Sequence, residues 1–380
     1  MSESVRGVSL VKRSRALELD LFGMWTSCDE HRYSGGHLCP YPQCLQGTDA
    51  DECREYLGKP TRLVVRREMF HDIDGSLRYF WYDGITPYSA AISSLVRYDM
   101  WGAVGNNDTV IYHYTTLEAL VSIIRSRSLW MTDYAYLNDA SEILHGLTLA
   151  RRALDELVPT QDHSRAFLEP IFAAAIEKVP RIAVSCFSLV SDSLSQWRAY
   201  SRGQCGVAIG FRVVTLMEKF LRSGVNFSKV VYRDAEKTNL FRRLIHFHRL
   251  AWEKDVKRDD QRYLAFAANT LTSTLYEFAS LCKDEGFADE REYRLAYLEH
   301  TTNTDREPVG KRFRIAGSLL VPYVETSEFV GYDETAEFRP YSVVVGPHPQ
   351  NELVRRGIEE FLRASGLNDV PVDVSPLPFR

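Results

Sequence analysis

No apolar run in this 380-residue chain approaches the roughly 18 residues that a membrane-crossing helix needs. Runs such as Ala173-Ala174-Ala175-Ile176 end after a few positions. Met1 to Leu10 is polar and charged and lacks the apolar core of a secretory signal. A surplus of positive charge is missing too. Lys and Arg number 46 against 51 Asp and Glu, a net charge of −5, which excludes a chain-wide nucleic-acid footprint and leaves only a local basic face. Neither a Gly-x-Gly-x-x-Gly nor a Walker loop occurs, which argues against Rossmann dinucleotide binding and P-loop chemistry. Internal repeats and low-complexity tracts are absent. Cysteine is scarce: seven residues at irregular spacing, an odd number that fits a reducing compartment better than a disulfide scaffold. These absences lead to the expectation of a cytoplasmic protein with no membrane partner.

What is present is an ordinary globular composition, 45% hydrophobic and 26% charged, sufficient for a sizeable core. Four cysteines, Cys28, Cys39, Cys44 and Cys53, crowd into the first 53 residues. Cys28, His31, Cys39 and Cys44 read as Cys-x2-His-x7-Cys-x4-Cys, with Gly35-Gly36, Pro40 and Pro42 to turn the chain around a tetrahedral zinc. That spacing is only approximately that of zinc knuckles, so unliganded thiols with no metal are the favoured reading.

The pattern divides at Gly102-Ala103-Val104-Gly105-Asn106-Asn107-Asp108, a linker signal. Residues 1–105 read as an N-terminal extension or small module, with strands at Arg62 to Met69 and Leu77 to Tyr82 around the turn Asp72-Ile73-Asp74-Gly75. Residues 106–380 read as one domain. Val110 to His113 is a strand. Thr115 and Glu118 form a capping box for a helix with Leu117, Leu120, Val121 and Ile124 on one face. Further strands are expected at Leu129 to Thr132, Arg181 to Leu189, Gly206 to Phe211, Tyr293 to Tyr297, Lys311 to Ile315 and Tyr341 to Val345. Helices are expected at Ala140 to Leu157, around Leu240, Leu244, Phe247 and Ala251, at Gln261 to Cys282 and at Asn351 to Ala364. Strands and helices alternate irregularly, which points to α+β with a mixed or antiparallel central sheet flanked by helices, plus the N-terminal β-containing extension.

Four clusters carry candidate chemistry, each with a plain structural alternative. Tyr112-His113-Tyr114-Thr115-Thr116 ends a strand at a helix N-terminus suited to phosphate, or else holds a core histidine and a cap. Asn138-Asp139-Ala140-Ser141-Glu142 reads mainly as helix capping. Cys186-Phe187-Ser188 is followed by Trp197 and Tyr200, which share a helix face that serves either ring stacking or core packing. In a strand beginning near Glu290, Glu290, Glu292 and Arg294 lie on one face, as a carboxylate pair or as an ion-pair ladder.

Taken in order, Tyr-His-Tyr-Thr, Asn-Asp-x-x-Glu, Cys-Phe-Ser, Trp-x-x-Tyr, Glu-x-Glu-x-Arg, Val344-Val345-Gly346-Pro347 and Ser375-Pro376-Leu377-Pro378-Phe379-Arg380 resemble the DUF2971 family across residues 106–380. The opening strand and helix are also similar to ADP-ribosyltransferase-like domains, including DarT-type DNA modifiers. That second resemblance implies an ADP-ribosyltransferase-like fold, NAD as substrate and Glu292, Glu290 and His113 as catalytic residues. It implies His113, Tyr114, Thr115, Phe187, Ser188, Trp197 and Tyr200 around the nucleotide. The Cys-Phe-Ser strand holds no tyrosine, so Tyr200 or Trp197 stands in for the ring that faces nicotinamide. The expected activity is NAD-dependent ADP-ribosyl transfer or NAD hydrolysis, in an effector of bacterial (phage) defence or of a toxin system, with the macromolecular acceptor left open. The rival expectation is a non-catalytic nucleotide-sensing or nucleic-acid-binding module. Its surface would be the helix carrying Arg242, Arg243 and Arg249 among Phe241, Phe247 and Trp252.

Overall fold

The computed structural model describes residues 66–71, 77–82, 109–137, 142–201, 205–220, 225–254, 261–299, 309–329 and 338–378. The zinc candidates Cys28, His31, Cys39 and Cys44, the linker at residues 102–108, and Asn138 and Asp139 fall outside them. Two strands, β1 (Arg66–His71) and β2 (Leu77–Tyr82), form the expected antiparallel pair, as a sheet of their own.

The remaining strands build one ten-stranded sheet. They are β3 (Val110–Thr116), β4 (Trp130–Asp133), β5 (Ile182–Ser188), β6 (Gly206–Arg212), β7 (Asn226–Lys229), β8 (Glu292–Leu298), β9 (Arg312–Ala316), β10 (Leu319–Glu325), β11 (Ser342–Val345) and β12 (Val372–Val374). The path runs β12-β11-β6-β3-β5-β4-β10-β9, with β8 joined to β5 and β7 to β8. β11 and β12 run parallel while the other described pairs are antiparallel, so the sheet is mixed, in an α+β arrangement.

Eight α-helices are described: α1 (Leu117–Ser126), α2 (Glu142–Leu157), α3 (Arg165–Glu177), α4 (Leu194–Tyr200), α5 (Val213–Phe220), α6 (Asp234–Lys254), α7 (Gln261–Ala279) and α8 (Asn351–Ala364). None among the described residues is long and apolar enough to cross a membrane. The capping box moves by one position. Thr116, not Thr115, caps α1, its hydroxyl accepting from the Ala119 N–H, while its backbone still pairs with Gly206 at the end of the β3–β6 ladder.

Side-chain alternation along the central strands divides the core into two layers. Ile182 and Val184 of β5, with Ala296 and Leu298 of β8, pack under α2, α3, α6 and α7. Ala183 and Phe187, with Tyr293 and Leu295, face Leu120 and Ile124 of α1, Leu216 of α5, and Ile358 and Leu362 of α8.

The position of the site follows from β5. β8 covers one edge of β5 from Ile182 to Ser188. The opposite edge is shared: β4 pairs at Ala183 and Val184, and β3 touches at the single pair Tyr112–Ser188. The sheet is therefore split between β3 and β4, and among the described residues nothing pairs as a strand with 185–187 of β5 on that side.

Candidate active site

Antiparallel register sets Ser188 opposite Glu292 and Cys186 opposite Arg294, so these four side chains share the helix-covered face. Just before β8, the Asp284 side chain accepts from the Gly286 N–H and starts a 3₁₀ turn over Glu285–Glu290. Arg291, at φ 44°, ends it in the left-handed region. Glu290 thus reaches the site from this turn, not along a strand that begins with it. The expected strand alternation of Glu290 and Glu292 is corrected in that respect, although the two carboxylates do meet.

They meet on Lys283. Its Nζ donates to Glu290 Oε2 at 2.6 Å and to Glu292 Oε2 at 2.8 Å. Arg294 Nε donates to Glu292 Oε1 at 2.6 Å, Nη1 to the Ser280 carbonyl at 2.6 Å, and Nη2 to Glu142 Oε2 at 2.9 Å. Tyr134 closes the chain, its hydroxyl donating to Glu142 Oε2 at 2.7 Å. The Glu292 backbone N–H donates to the Tyr232 hydroxyl at 2.8 Å. Arg294, Glu292 and Glu142 are 2%, 4% and 5% exposed. Charges so buried require partners, and here they have them. Glu142 is therefore no simple helix cap: it ties the start of α2 to β8, while its Oε1 is buried without a hydrogen-bond partner among the described residues.

The electrostatics follow from this packing. Burial works to keep Glu292 protonated, but Arg294 and then Lys283 outweigh it and hold the carboxyl down to about 2. Burial opposes the charge of Lys283 as well, and Glu292 and Glu290 overcome it, raising the amine. Burial pushes the Cys186 thiol well up, and the Glu292 charge adds to that. Cys186 is thus a thiol that hydrogen-bonds Glu292, not a nucleophilic thiolate. Tyr200, 39% exposed, is raised by burial and then by Cys186, Glu292 and Glu290, which sets it beside the carboxylates.

The other expected residues divide sharply. Ser188 is buried within the cluster, its Oγ donating to the Glu290 carbonyl at 2.7 Å and accepting from the Val190 N–H. Phe187 points to the opposite face, 2% exposed among Phe211 and Phe227, and presents no ring to a ligand. His113 also lies on that opposite face, beside Phe187 with ring centroids 5.5 Å apart. The expectation that His113 and Glu292 line one cleft is corrected by this register. His113 Nδ1 bonds the Cys186 carbonyl at 2.9 Å and fills the split left by β3, so the ring acts as a side-chain rung. Burial, against the pull of that bond, lowers its pKa and keeps it neutral. Thr115 is a half-buried strand residue.

Tyr114 and Trp197 are packing residues. Their rings meet edge-on at 4.6 Å, Trp197 Nε1 donates to Asp192 Oδ1 at 2.6 Å, and the Tyr114 hydroxyl donates to the Val190 carbonyl and accepts from the Ser193 N–H. Ser375 Oγ reaches the same Asp192 oxygen at 2.7 Å. A Cβ at Gly346 would lie 2.9 Å from the Trp197 ring, and one at Gly206 3.3 Å, so both glycines admit the indole. This knot sets the position of α4, and with it Tyr200.

Lys283, Tyr134 and Tyr232 were missed by sequence reasoning. A lysine at Leu281-Cys282-Lys283-Asp284 carries no pattern, and only the fold brings it to Glu292. Among the described residues no group of three or more His, Cys, Asp or Glu is placed to hold a metal ion. The helix offered for nucleic acid has turned its rings inward. Phe241 and Phe247 are buried, Trp252 stacks on Phe167, Arg242 pairs with Glu156, and Arg249 pairs with Asp162 and Glu253.

No curated protein and no solved structure matches the chain. One family model does, over residues 196–295, from the start of α4 into β8 and including Trp197, Tyr200, Lys283, Glu290, Glu292 and Arg294. Over those residues the chain carries a match to DUF2971, a family described as of unknown function.

Proposed function

We propose that the chain cleaves the N-glycosidic bond of NAD, as an ADP-ribosyltransferase or NAD glycohydrolase, at the Glu290–Glu292 pair beside Tyr200. One observation carries this reading. Two carboxylates share a single ammonium, and the more buried of them is held ionised to about 2. Glycosidic cleavage draws on such a pair, one carboxylate stabilising a ribosyl cation and another handling a proton. The bond breaks with its electron pair leaving on nicotinamide. The ribose C1′ then takes a pair from an acceptor oxygen, whose proton passes to Glu290, or from a water, whose proton passes to bulk solvent. Tyr200 supplies the ring beside the leaving group, one of the two residues, with Trp197, that the sequence offered for that place. An ADP-ribosyltransferase-like architecture belongs to the same proposal, and the split between β3 and β4 supports it. So does the role as a defence or toxin effector in the cytoplasm, which rests on resemblance alone.

A second reading has its own observation. Both oxygens of Glu292 are occupied by cations, which suits a domain that binds a nucleotide without cleaving it. In the catalytic reading, substrate must draw Lys283 away from Glu292. Purified protein with nicotinamide-labelled NAD separates the two: release of nicotinamide supports cleavage, and its absence with retained NAD binding supports sensing.

A further inference from the structure

β9 ends the strand path of the large sheet, and among the described residues nothing pairs with its outer side. The turn Gly317-Ser318, with Gly317 at φ 60°, joins it to β10. Antiparallel register sets Ile315 opposite Leu320 and Phe313 opposite Pro322, all on one face. Phe313, Ile315 and Leu320 are 58%, 79% and 61% exposed, so they stand in water as one contiguous patch. Farther along this face, Val324 is buried in the layer under α1, α5 and α8. The patch thus continues that core beyond the point where the fold covers it. Pro322 has no N–H, so its pair with Phe313 is a non-hydrogen-bonded one. The backbone N–H and C=O of Phe313, and of Ile315 two residues on, therefore point to the outer edge. The cations of this strand are engaged within the chain. Arg312 is held by Glu325 and Glu328, and Lys311 Nζ lies 3.8 Å from Glu299 Oε2. Arg314 Nη2 donates across β10 to Thr132 Oγ1 at 2.9 Å, away from the outer edge.

We propose that this edge joins two copies of the chain, β9 against β9, antiparallel about a two-fold axis at Arg314. That register places Phe313 of each copy opposite Ile315 of the other, and Arg312 opposite the small Ala316. The outward N–H and C=O groups of Phe313 and Ile315 then meet their counterparts as hydrogen-bonded pairs. One register therefore satisfies the open backbone and covers the apolar patch together. An acidic partner strand would find the edge cations already taken by this chain's own carboxylates, so what the edge offers is apolar and self-complementary. Side chains exposed to this degree leave on the order of 100 Å² each, about 600 Å² over both copies. With the paired backbones the seam reaches about 1,000 Å², the low end for a specific interface, and the dimer is accordingly a micromolar one. A two-fold seam uses β9 once per copy and closes the assembly at two.

Sedimentation velocity of the full chain from about 1 to about 100 μM tests this, and the wild type should pass from monomer to dimer over that range. Ile315→Glu counts in both copies and should raise the dimer Kd by about a hundredfold or more. Ile315→Pro removes only an outward N–H, so it spares the β9–β10 ladder and should abolish the dimer as well. Leu353→Glu on α8, where the leucine is 65% exposed, should leave the dimer unchanged. Melting curves show that each variant is folded, and Ile315→Glu decides the case should the proline variant not fold. A wild type that stays monomeric at about 100 μM overturns the proposal and leaves the edge to a different protein. A dimer that survives Ile315→Glu, or one that survives Ile315→Pro in a folded chain, overturns the edge-to-edge pairing. Assemblies larger than two overturn the two-fold seam.

Discussion

Replacing Glu292 by Gln tests the electrostatics and the chemistry together. The amide preserves shape but offers one acceptor oxygen where the carboxylate offers two, one to Arg294 and one to Lys283. One cation therefore loses its acceptor inside the protein, which costs about 2 kcal/mol. The pH dependence gives a sharper signature. Glu292 is held down to about 2 from an ordinary 4.5 by Arg294 and Lys283, against the effect of burial. Its contribution is therefore present above pH 4.5 and is lost as pH falls toward 2, and the whole shift corresponds to about 3 kcal/mol. Urea unfolding of wild type and Glu292→Gln at about pH 7 and about pH 3 should show a gap that narrows on acidification. NAD turnover measured on the same samples should fall about a hundredfold, the loss expected when charge no longer meets the ribosyl cation. A stability gap that stays constant across this window would refute the buried, cation-held carboxylate. Full turnover in a folded variant would end the catalytic assignment.

Glu290→Gln should behave differently: its side chain is a quarter exposed, so stability should fall by about 1 kcal/mol or less, while transfer to a macromolecule drops and NAD hydrolysis persists. Gly346→Ala should destabilise by about 1–3 kcal/mol, since its methyl would enter the Trp197 ring and crowd the Gly206 carbonyl; an unchanged melting midpoint would contradict that packing. Limited proteolysis should cut between Gly102 and Asp108 and leave a folded C-terminal fragment, because among the described residues β1 and β2 pair only with each other; resistance there would move the domain boundary.

The elements most legible in the sequence were those whose pattern is local. Asn351 to Ala364 is a helix over its expected span, and the strands around β5, β6 and β8 fall within two residues of expectation. β10 was missed because Pro322 breaks the look of a strand. It sits one position past the last residue paired with β4, so that ladder keeps its rungs. α3 was missed for a similar reason, with Pro170 inside it. The site was half legible. Glu290, Glu292 and Arg294 announce themselves within five residues, but their partners Glu142, Lys283 and Tyr134 are set by tertiary packing, which leaves no mark on spacing. His113 failed in the opposite way. Its place on a strand before a helix was read correctly, yet a period of two decides the face, and no sequence signal shows that β3 peels away from β5 after Tyr112.

The ordered motifs prove to be of two kinds, and this explains how a chain can be recognised without its chemistry following. Tyr114, Trp197, Gly206, Gly346 and Ser375 come from distant parts of the chain and converge on one indole and on Asp192. None of them touches the charged cluster; they fix α4 against the sheet. Tyr200 lies one turn beyond Trp197 on that short helix, so the position of the exposed ring beside Glu290 depends on how firmly the indole is held. The second kind is charged: Glu142, Glu292 and Arg294 are buried and Glu290 is partly so, a costly arrangement for stability alone, since apolar residues of similar volume would serve the core at least as well. A scaffold that brings a half-exposed tyrosine against such a cluster is better accounted for by a ligand there than by folding, and this argues for function at this end of β5 before any activity is measured.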